Sequence, residues 1–180
     1  MNLPLDYRKK CTRSLFSIYY DRETCSFFYK CLLDKDISSY IKINRKYYIK
    51  KRKYFQIGNK VFYIEPINHH SNQIKIVITN DPSSTIKNKE YVFNKTTPTI
   101  HIGRGEGCQV SFIHDNILSK IQCTVMYDDL MDKWAIVDGD NNKTSTNGTW
   151  LYCHSKYKIV DTETYFKIGR NIILVKKEEL

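Results

Sequence analysis

Arg104, Ser119, Lys120, Thr146 and Asn147 are the residues whose types and spacing best suit chemistry, and that chemistry is the holding of an anion. Arginine supplies a forked cation, serine and threonine supply hydroxyls, and lysine adds charge. The carboxamide of Asn147 has two hydrogens and a carbonyl, enough to grip the main chain of an extended peptide. Gly103, Gly105 and Gly107 let a loop approach closely, and Gly148 admits the positive φ of an Asn-Gly turn. Taken singly, each has a plainer explanation: a solvated arginine at a strand end, a turn-forming serine, a hairpin corner. Only the combination points to a site. Catalysis is not expected, because Cys108, His114, His101 and the acids assemble no nucleophile with base and orienting group, and Asp138 with Asp140 suits a turn better than a metal. Gly103 to Gly107 lacks the Gly-Lys-Ser/Thr ending of a phosphate-cradling nucleotide loop, so no cofactor is expected either.

The elements that must position these residues are strands. Short runs rich in β-branched and aromatic residues fill the chain from residue 73: Gln73 to Thr79, Tyr91 to Phe93, Thr99 to Ile102, Cys108 to Ile113, Ile121 to Tyr127, Trp134 to Val137, Thr149 to Tyr152, Tyr157 to Val160 and Asn171 to Val175. Asp81-Pro82, Gly103 to Gly107, Asp138-Gly139 and Asn147-Gly148 punctuate them. The best helix candidate, Tyr29 to Ile41, reads equally well as strands. An all-β fold of packed sheets follows, with its functional residues on loops at one end.

The sequence also repeats itself. Tyr54 to Ile64 (YFQIGNKVFYI) lies over Tyr165 to Val175 (YFKIGRNIILV), Tyr40-Ile41 over Trp150-Leu151, and Phe16 to Asp21 over Cys123 to Asp128. Residues 12–65 therefore read as a strand-for-strand repeat of 119–176, with loop insertions shifting the offset. In that alignment Thr12 falls at Ser119, and Ser38-Ser39 near Thr146-Asn147.

Ile102-Gly103-Arg104, Leu118-Ser119-Lys120-Ile121-Gln122 and Ser145-Thr146-Asn147-Gly148-Thr149-Trp150, in this order, resemble the forkhead-associated (FHA) domain, a β-sandwich that binds phosphothreonine peptides. The resemblance covers residues 71–180, and Phe166-Lys-Ile-Gly169 fits that family's last hairpin. It implies phosphopeptide binding by Arg104, Ser119, Thr146 and Asn147, with Lys120 where a basic or polar residue often joins them. The family usually carries a histidine where this chain has Gln122, tying the binding loops from behind. The expected architecture is an FHA-like sandwich of two antiparallel sheets over 71–180. Residues 1–70, a basic and aromatic-rich partial repeat, hold only the later strands of such a domain. Their uncovered edges are expected to pack on the complete domain, to borrow strands from a partner, or to belong to a truncated first domain of a longer protein, with packing on the complete domain or a neighbouring subunit preferred.

Composition sets the remaining bounds. The 180 residues are 41% hydrophobic and 13% aromatic, which is globular rather than disordered, and no apolar run approaches a membrane span or a signal peptide, so an intracellular chain is expected. The six cysteines fall in no Cys-x-x-Cys pair and read as reduced thiols, mostly filling the core, with no metal. Residues 1–70 hold 15 Lys+Arg against 6 Asp+Glu, and 71–180 hold 14 against 13. The basic centre is Lys42, Arg45, Lys46, Lys50, Lys51, Arg52 and Lys53, interleaved with Tyr47, Tyr48 and Ile49. It reads as a solvated hairpin, a short nuclear-import signal or a weak nucleic-acid patch.

Two functions from different classes remain at this level. One is a phosphothreonine-peptide-binding adaptor for a threonine-phosphorylated protein. The other is a structural subunit that uses the same fold for phosphate-independent contacts, with another subunit covering the half-repeat.

Overall fold

The computed structural model describes residues 16–32, 39–67, 72–80, 88–97, 99–140, 142–153 and 156–177; Thr12, Ser38 and the Asp81-Pro82 turn lie outside them. Among the described residues every regular element is a strand: β1 (Phe16–Asp21), β2 (Ser26–Cys31), β3 (Ser39–Lys42), β4 (Tyr47–Tyr48), β5 (Lys53–Ile57), β6 (Lys60–Pro66), β7 (Gln73–Asn80), β8 (Lys89–Asn94), β9 (Ile100–Gly103), β10 (Val110–Ser111), β11 (Cys123–Asp128), β12 (Lys133–Asp138), β13 (Thr149–Tyr152), β14 (Lys156–Ile159), β15 (Glu163–Ile168) and β16 (Asn171–Lys176). The expected strands are all present. The run from Cys108 to Ile113 shrinks to Val110–Ser111, the short parallel partner of β9.

Three sheets form. The largest runs β16-β15-β3-β13-β5-β6-β7-β8, the second β10-β9-β11-β12-β4, and the third β1-β2-β14. Phe166, Ile41, Leu151 and Phe55 stand directly opposite one another along the large sheet, so they share one face. The five-stranded sheet covers one end of that face. Ile100, Ile102, Val125, Trp134 and Ile136 pack there on Phe55, Ile57, Phe62, Ile64, Ile74 and Ile76. The three-stranded sheet covers the other end, where Tyr29 and Ile159 pack on Ile41, Phe166 and Ile168. The Tyr29 and Phe166 rings stack at 4.3 Å. This is an all-β sandwich whose smaller layer is divided in two.

Residues before and after position 70 are woven into the same sheets. The strand β3 sits between β13 and β15, β5 lies on the other side of β13, and β6 pairs with β7 across the boundary. The partial repeat thus packs in cis on the rest of the chain, and the two segments drawn from the sequence share one large sheet.

The internal repeat reappears in the pairing registers. Ala135 pairs with Tyr48 and Ile136 with Tyr47, while their counterparts Phe28 and Tyr29 pair with Lys158 and Tyr157. Leu151 opposite Phe55 corresponds to Ile41 opposite Phe166. The central pair β3·β13 maps onto itself: Leu151 faces Ile41, and Trp150–Lys42 exchanges with Tyr152–Tyr40. Across this centre the Ile43 N–H donates to the Thr149 carbonyl at 2.9 Å and the Cys153 N–H to the Ser39 carbonyl at 2.8 Å, again as counterparts. The pairing scheme therefore has a pseudo-two-fold relation through β3·β13. Each repeat lends a strand to the other's small sheet, β4 to β12 and β14 to β2.

Candidate functional site

Gly103 ends β9 where two backbones nearly touch. A Cβ there would collide with the Lys120 carbonyl oxygen and lie 2.9 Å from both the Gln122 nitrogen and the Ser119 oxygen. This closeness lets the two segments zip together. The Arg104 N–H donates to the Ser119 carbonyl at 3.0 Å, the Gly105 N–H to the Lys120 carbonyl at 2.9 Å, and the Gln122 N–H to the Ile102 carbonyl at 2.8 Å. Arg104, Ser119 and Lys120 are thereby brought to one corner of the sandwich.

Gln122, fully buried, joins this corner to the loop between β12 and β13. Its Oε1 accepts from the Ser119 N–H at 3.0 Å, and its Nε2 donates to Ser145 Oγ at 2.6 Å and to the Gly148 carbonyl at 3.0 Å. A backbone N–H can only donate and a carbonyl can only accept, so these partners fix the orientation of the amide. Behind it, buried Asp138 accepts from the hydroxyls of Ser145 and Thr149, each at 2.7 Å, and from the Ser145 N–H at 3.2 Å. The Gly148 N–H closes the turn on Ser145 Oγ at 2.9 Å, and its φ of +75° is one that glycine adopts without strain. Asp138 shapes a turn, as its sequence context suggests.

At the solvent end, the Thr146 N–H donates to Ser119 Oγ at 3.0 Å, and Ser119 Oγ lies 3.3 Å from Thr146 Oγ1. The Asn147 amide donates to the Ile117 carbonyl at 2.7 Å. Thr146, Asn147 and Lys120 are exposed, and Arg104 and Ser119 are partly so. Among the described residues the Arg104 guanidinium and the Lys120 ammonium have no carboxylate within ion-pair distance. The corner therefore combines two uncommitted cations, two hydroxyls and a carboxamide on a surface held by a buried hydrogen-bond network. Such a surface can take a multiply charged oxyanion with a peptide lying beside it.

Sequence reasoning missed how this corner is supported. Lys60, fully buried at the start of β6, reaches Asp115 with Nζ 2.7 Å from Oδ2 and lies 5.0 Å from the centre of the Phe112 ring. Asp115 Oδ1 accepts the Ile117 N–H at 3.0 Å, and the Ile117 carbonyl holds Asn147. Gly58, in the preceding turn, lies against Ile117 and Leu118. The β5–β6 hairpin of the first repeat thus underlies the loop that carries Ile117, Leu118 and Ser119. No motif signals it, because the counterpart of Lys60 in the second repeat is Asn171.

Three of the seven cations of the basic run are paired within the fold. Arg45 lies 3.5 Å from Asp161, Lys46 lies 2.9 Å from Asp128, and Arg52 forks onto Glu65 at 2.7 and 3.1 Å. The hydrogen bond to Asp128 raises the Lys46 pKa, and Arg52 holds the Glu65 carboxyl below its usual range. Lys42 packs at Gly148 and over the Tyr165 ring. Lys53 is partly buried, and only Lys50 and Lys51 project as exposed cations with no ion pair among the described residues. Of the described cysteines, Cys123 and Cys153 are buried, Cys25 is exposed, and Cys31 and Cys108 are intermediate. Among the described residues no group of His, Cys, Asp and Glu is placed to hold a metal, and no helix is long and apolar enough to cross a membrane.

Compared with family models, curated proteins and solved structures, the chain matches none.

Proposed function

We propose that the chain is an FHA-type adaptor inside the cell that binds a threonine-phosphorylated protein through Arg104, Ser119, Lys120, Thr146 and Asn147. The observation that carries this reading is the pair of cations without an ion pair among the described residues, Arg104 and Lys120, on segments that meet Ser119 and Thr146, with the loops tied beneath by Gln122 on the Ser119 N–H and by Asp138 on Ser145. Gln122 makes three hydrogen bonds in the place where the family usually has its loop-tying histidine, so the departure from the family pattern leaves the loops joined. The phosphate would replace water on Arg104 and Lys120 and compete for the Ser119 and Thr146 hydroxyls, while Asn147 turns from Ile117 to the peptide backbone.

The test is titration with a degenerate phosphothreonine peptide library, read by fluorescence anisotropy. Affinity in the micromolar range is expected, about −8 kcal/mol. Arg104→Ala should weaken it at least tenfold, since a charge-assisted bond contributes about 1.5–3 kcal/mol. Equal binding of phosphorylated and plain peptides would dispose of the proposal. The edges of β1 and β16, which have no neighbour among the described residues, favour a second reading, in which the chain is a structural subunit making permanent contacts. A well-behaved monomer on size-exclusion chromatography argues against that alternative.

A further inference from the structure

The pseudo-two-fold relation identifies what one of its two sides lacks. In the first copy of the scheme, β7 pairs along the outer edge of β6, and β9 along the outer edge of β11. Their counterparts, β16 and β1, have no outer neighbour among the described residues. The burial of matched residues shows the consequence. Phe62 and Ile64 are fully buried beneath β7, whereas the matching Ile173 and Val175 are only partly so. Val125 is 0% exposed and its counterpart Ile18 39%; Trp134 is 2% exposed and its counterpart Phe27 42%. These are one pair of edges and one apolar face seen twice, covered on one side of the pseudo-two-fold and, among the described residues, bare on the other.

The register also says which backbone groups are open. The Lys177 N–H donates to the Thr162 carbonyl, so by antiparallel alternation Thr164 with Val175 and Phe166 with Ile173 exchange hydrogen bonds. Ile172, Leu174 and Lys176 then point their N–H and C=O groups away from β15. Their counterparts Val61, Tyr63 and Glu65 point toward β7.

A second copy of the chain does not meet this need by exchanging strands. Among the described residues each chain has two such pairs of acceptor edges but a single donor segment, β7 to β10, so strand exchange among copies leaves one pair per chain uncovered. We infer that a partner polypeptide other than this chain supplies an Ile/Val-alternating strand that adds antiparallel to β16, as β7 adds to β6, and continues across the apolar face to β1. This holds whether or not the Arg104 corner binds phosphate.

The probe is a synthetic peptide with the sequence of residues 72–95, which carries the β7 pattern QIKIVITN, added to the full chain. Binding is read by anisotropy of the labelled peptide, and the site by amide hydrogen exchange. Saturable binding is expected, with exchange at Ile172, Leu174 and Lys176 slowed at least tenfold. A scrambled peptide should have no effect. Leu174→Pro removes an N–H that faces the open edge and leaves the β15 hydrogen bonds intact, and should weaken binding at least tenfold. Leu174→Lys keeps the backbone group and serves as a second variant; it should bind within a few-fold of wild type. Four results would overturn the inference: no binding at the highest soluble concentration; binding unaffected by Leu174→Pro; edge amides already protected in the free monomer; or protection arising from self-association of the chain through β16.

Discussion

Lys60 offers the sharpest test of how the first repeat supports the candidate site. Its side chain is 1% exposed and that of Asp115 11%, with 2.7 Å between Nζ and Oδ2. Lys60→Met keeps most of the apolar stem and removes the charge, leaving a carboxylate with little access to water. Breaking a buried pair on one side costs about 3–5 kcal/mol, and the lower figure applies because Asp115 retains some solvent and the Ile117 N–H. A loss of about 3 kcal/mol in urea unfolding is expected, or about 6–12 °C in Tm at 2–4 °C per kcal/mol. The double variant Lys60→Met/Asp115→Asn removes both charges, and its stability should return to within about 1 kcal/mol of wild type, because a buried pair nets little against a neutral replacement. The double variant should therefore be about 2 kcal/mol more stable than Lys60→Met alone. If the double variant is as unstable as the single one, the pairing argument fails, and Lys60 contributes through its packing alone.

Other outcomes follow from the same geometry. Gly103→Ala drives a methyl into the Lys120 carbonyl and should cost about 3 kcal/mol, whereas Gly107→Ala meets no atom within 4 Å and should be neutral or slightly stabilising; urea midpoints of the two variants compare them directly. Gln122→Ala strands the Ser119 N–H and the Gly148 carbonyl and should cost about 2–3 kcal/mol, with faster amide exchange at Ser119 and Gly148 before any global loss of structure. Several carboxyls lie below their ordinary range in the fold: Asp128 through hydrogen bonds from Lys46 and Tyr48, Asp140 through the N–H groups of Asn142 and Lys143, and Glu65 through Arg52. Folded values below unfolded ones mean that the unfolded chain binds more protons in this range. Their stabilisation is thus present above the unfolded values of about 4 and lost as pH falls through the folded ones. The urea midpoint should decline below about pH 4, with a smaller decline in Asp128→Asn and Asp140→Asn.

The strands were legible because alternation reports one buried face. QIKIVITN places Ile74, Ile76 and Ile78 on the core side of β7, and the core places them there too. The internal repeat was legible for the same reason, since residues that fill matching places have matching sizes. What alternation does not encode is which edge meets which. Tyr40-Ile41 and Trp150-Leu151 are near-equivalent strands, and either could take β5 or β15 as its neighbour, so the interleaving of the two repeats left no trace in the pattern. That the segments carrying Arg104, Ser119 and Thr146 with Asn147 meet was expected from the resemblance, and their contacts fit the rule that loops at one end of a sandwich lie together. Lys60 was not, since a lysine in a hairpin ordinarily points to water. Nor was the fate of the basic run, whose acids Glu65, Asp128 and Asp161 come from three separate parts of the chain.

The interleaving changes what counts as the unit that carries the site. Residues 71–180 contain every proposed ligand-binding side chain, yet their own last hairpin, β15–β16, pairs with β3 and not with β13. The edge of β13 beside the site is occupied by β5, and β6 joins β5 to β7. Cutting the chain at residue 71 would remove β3, β5 and β6 together. It would open both edges of β13, leave Ile74, Ile76 and Ile78 without Phe62 and Ile64, and strip Asp115 of Lys60. The β15–β16 hairpin has the right sequence pattern to move into the place of β5–β6, but it brings Asn171 where Lys60 was and Ile173 where Phe62 was. Such a rearranged domain could close its sheet and still lack the cation that holds Asp115 and, through Ile117, Asn147. The first repeat is therefore part of the candidate site's foundation, and the corner proposed to bind an anion belongs to the intertwined pair of repeats rather than to the second one alone.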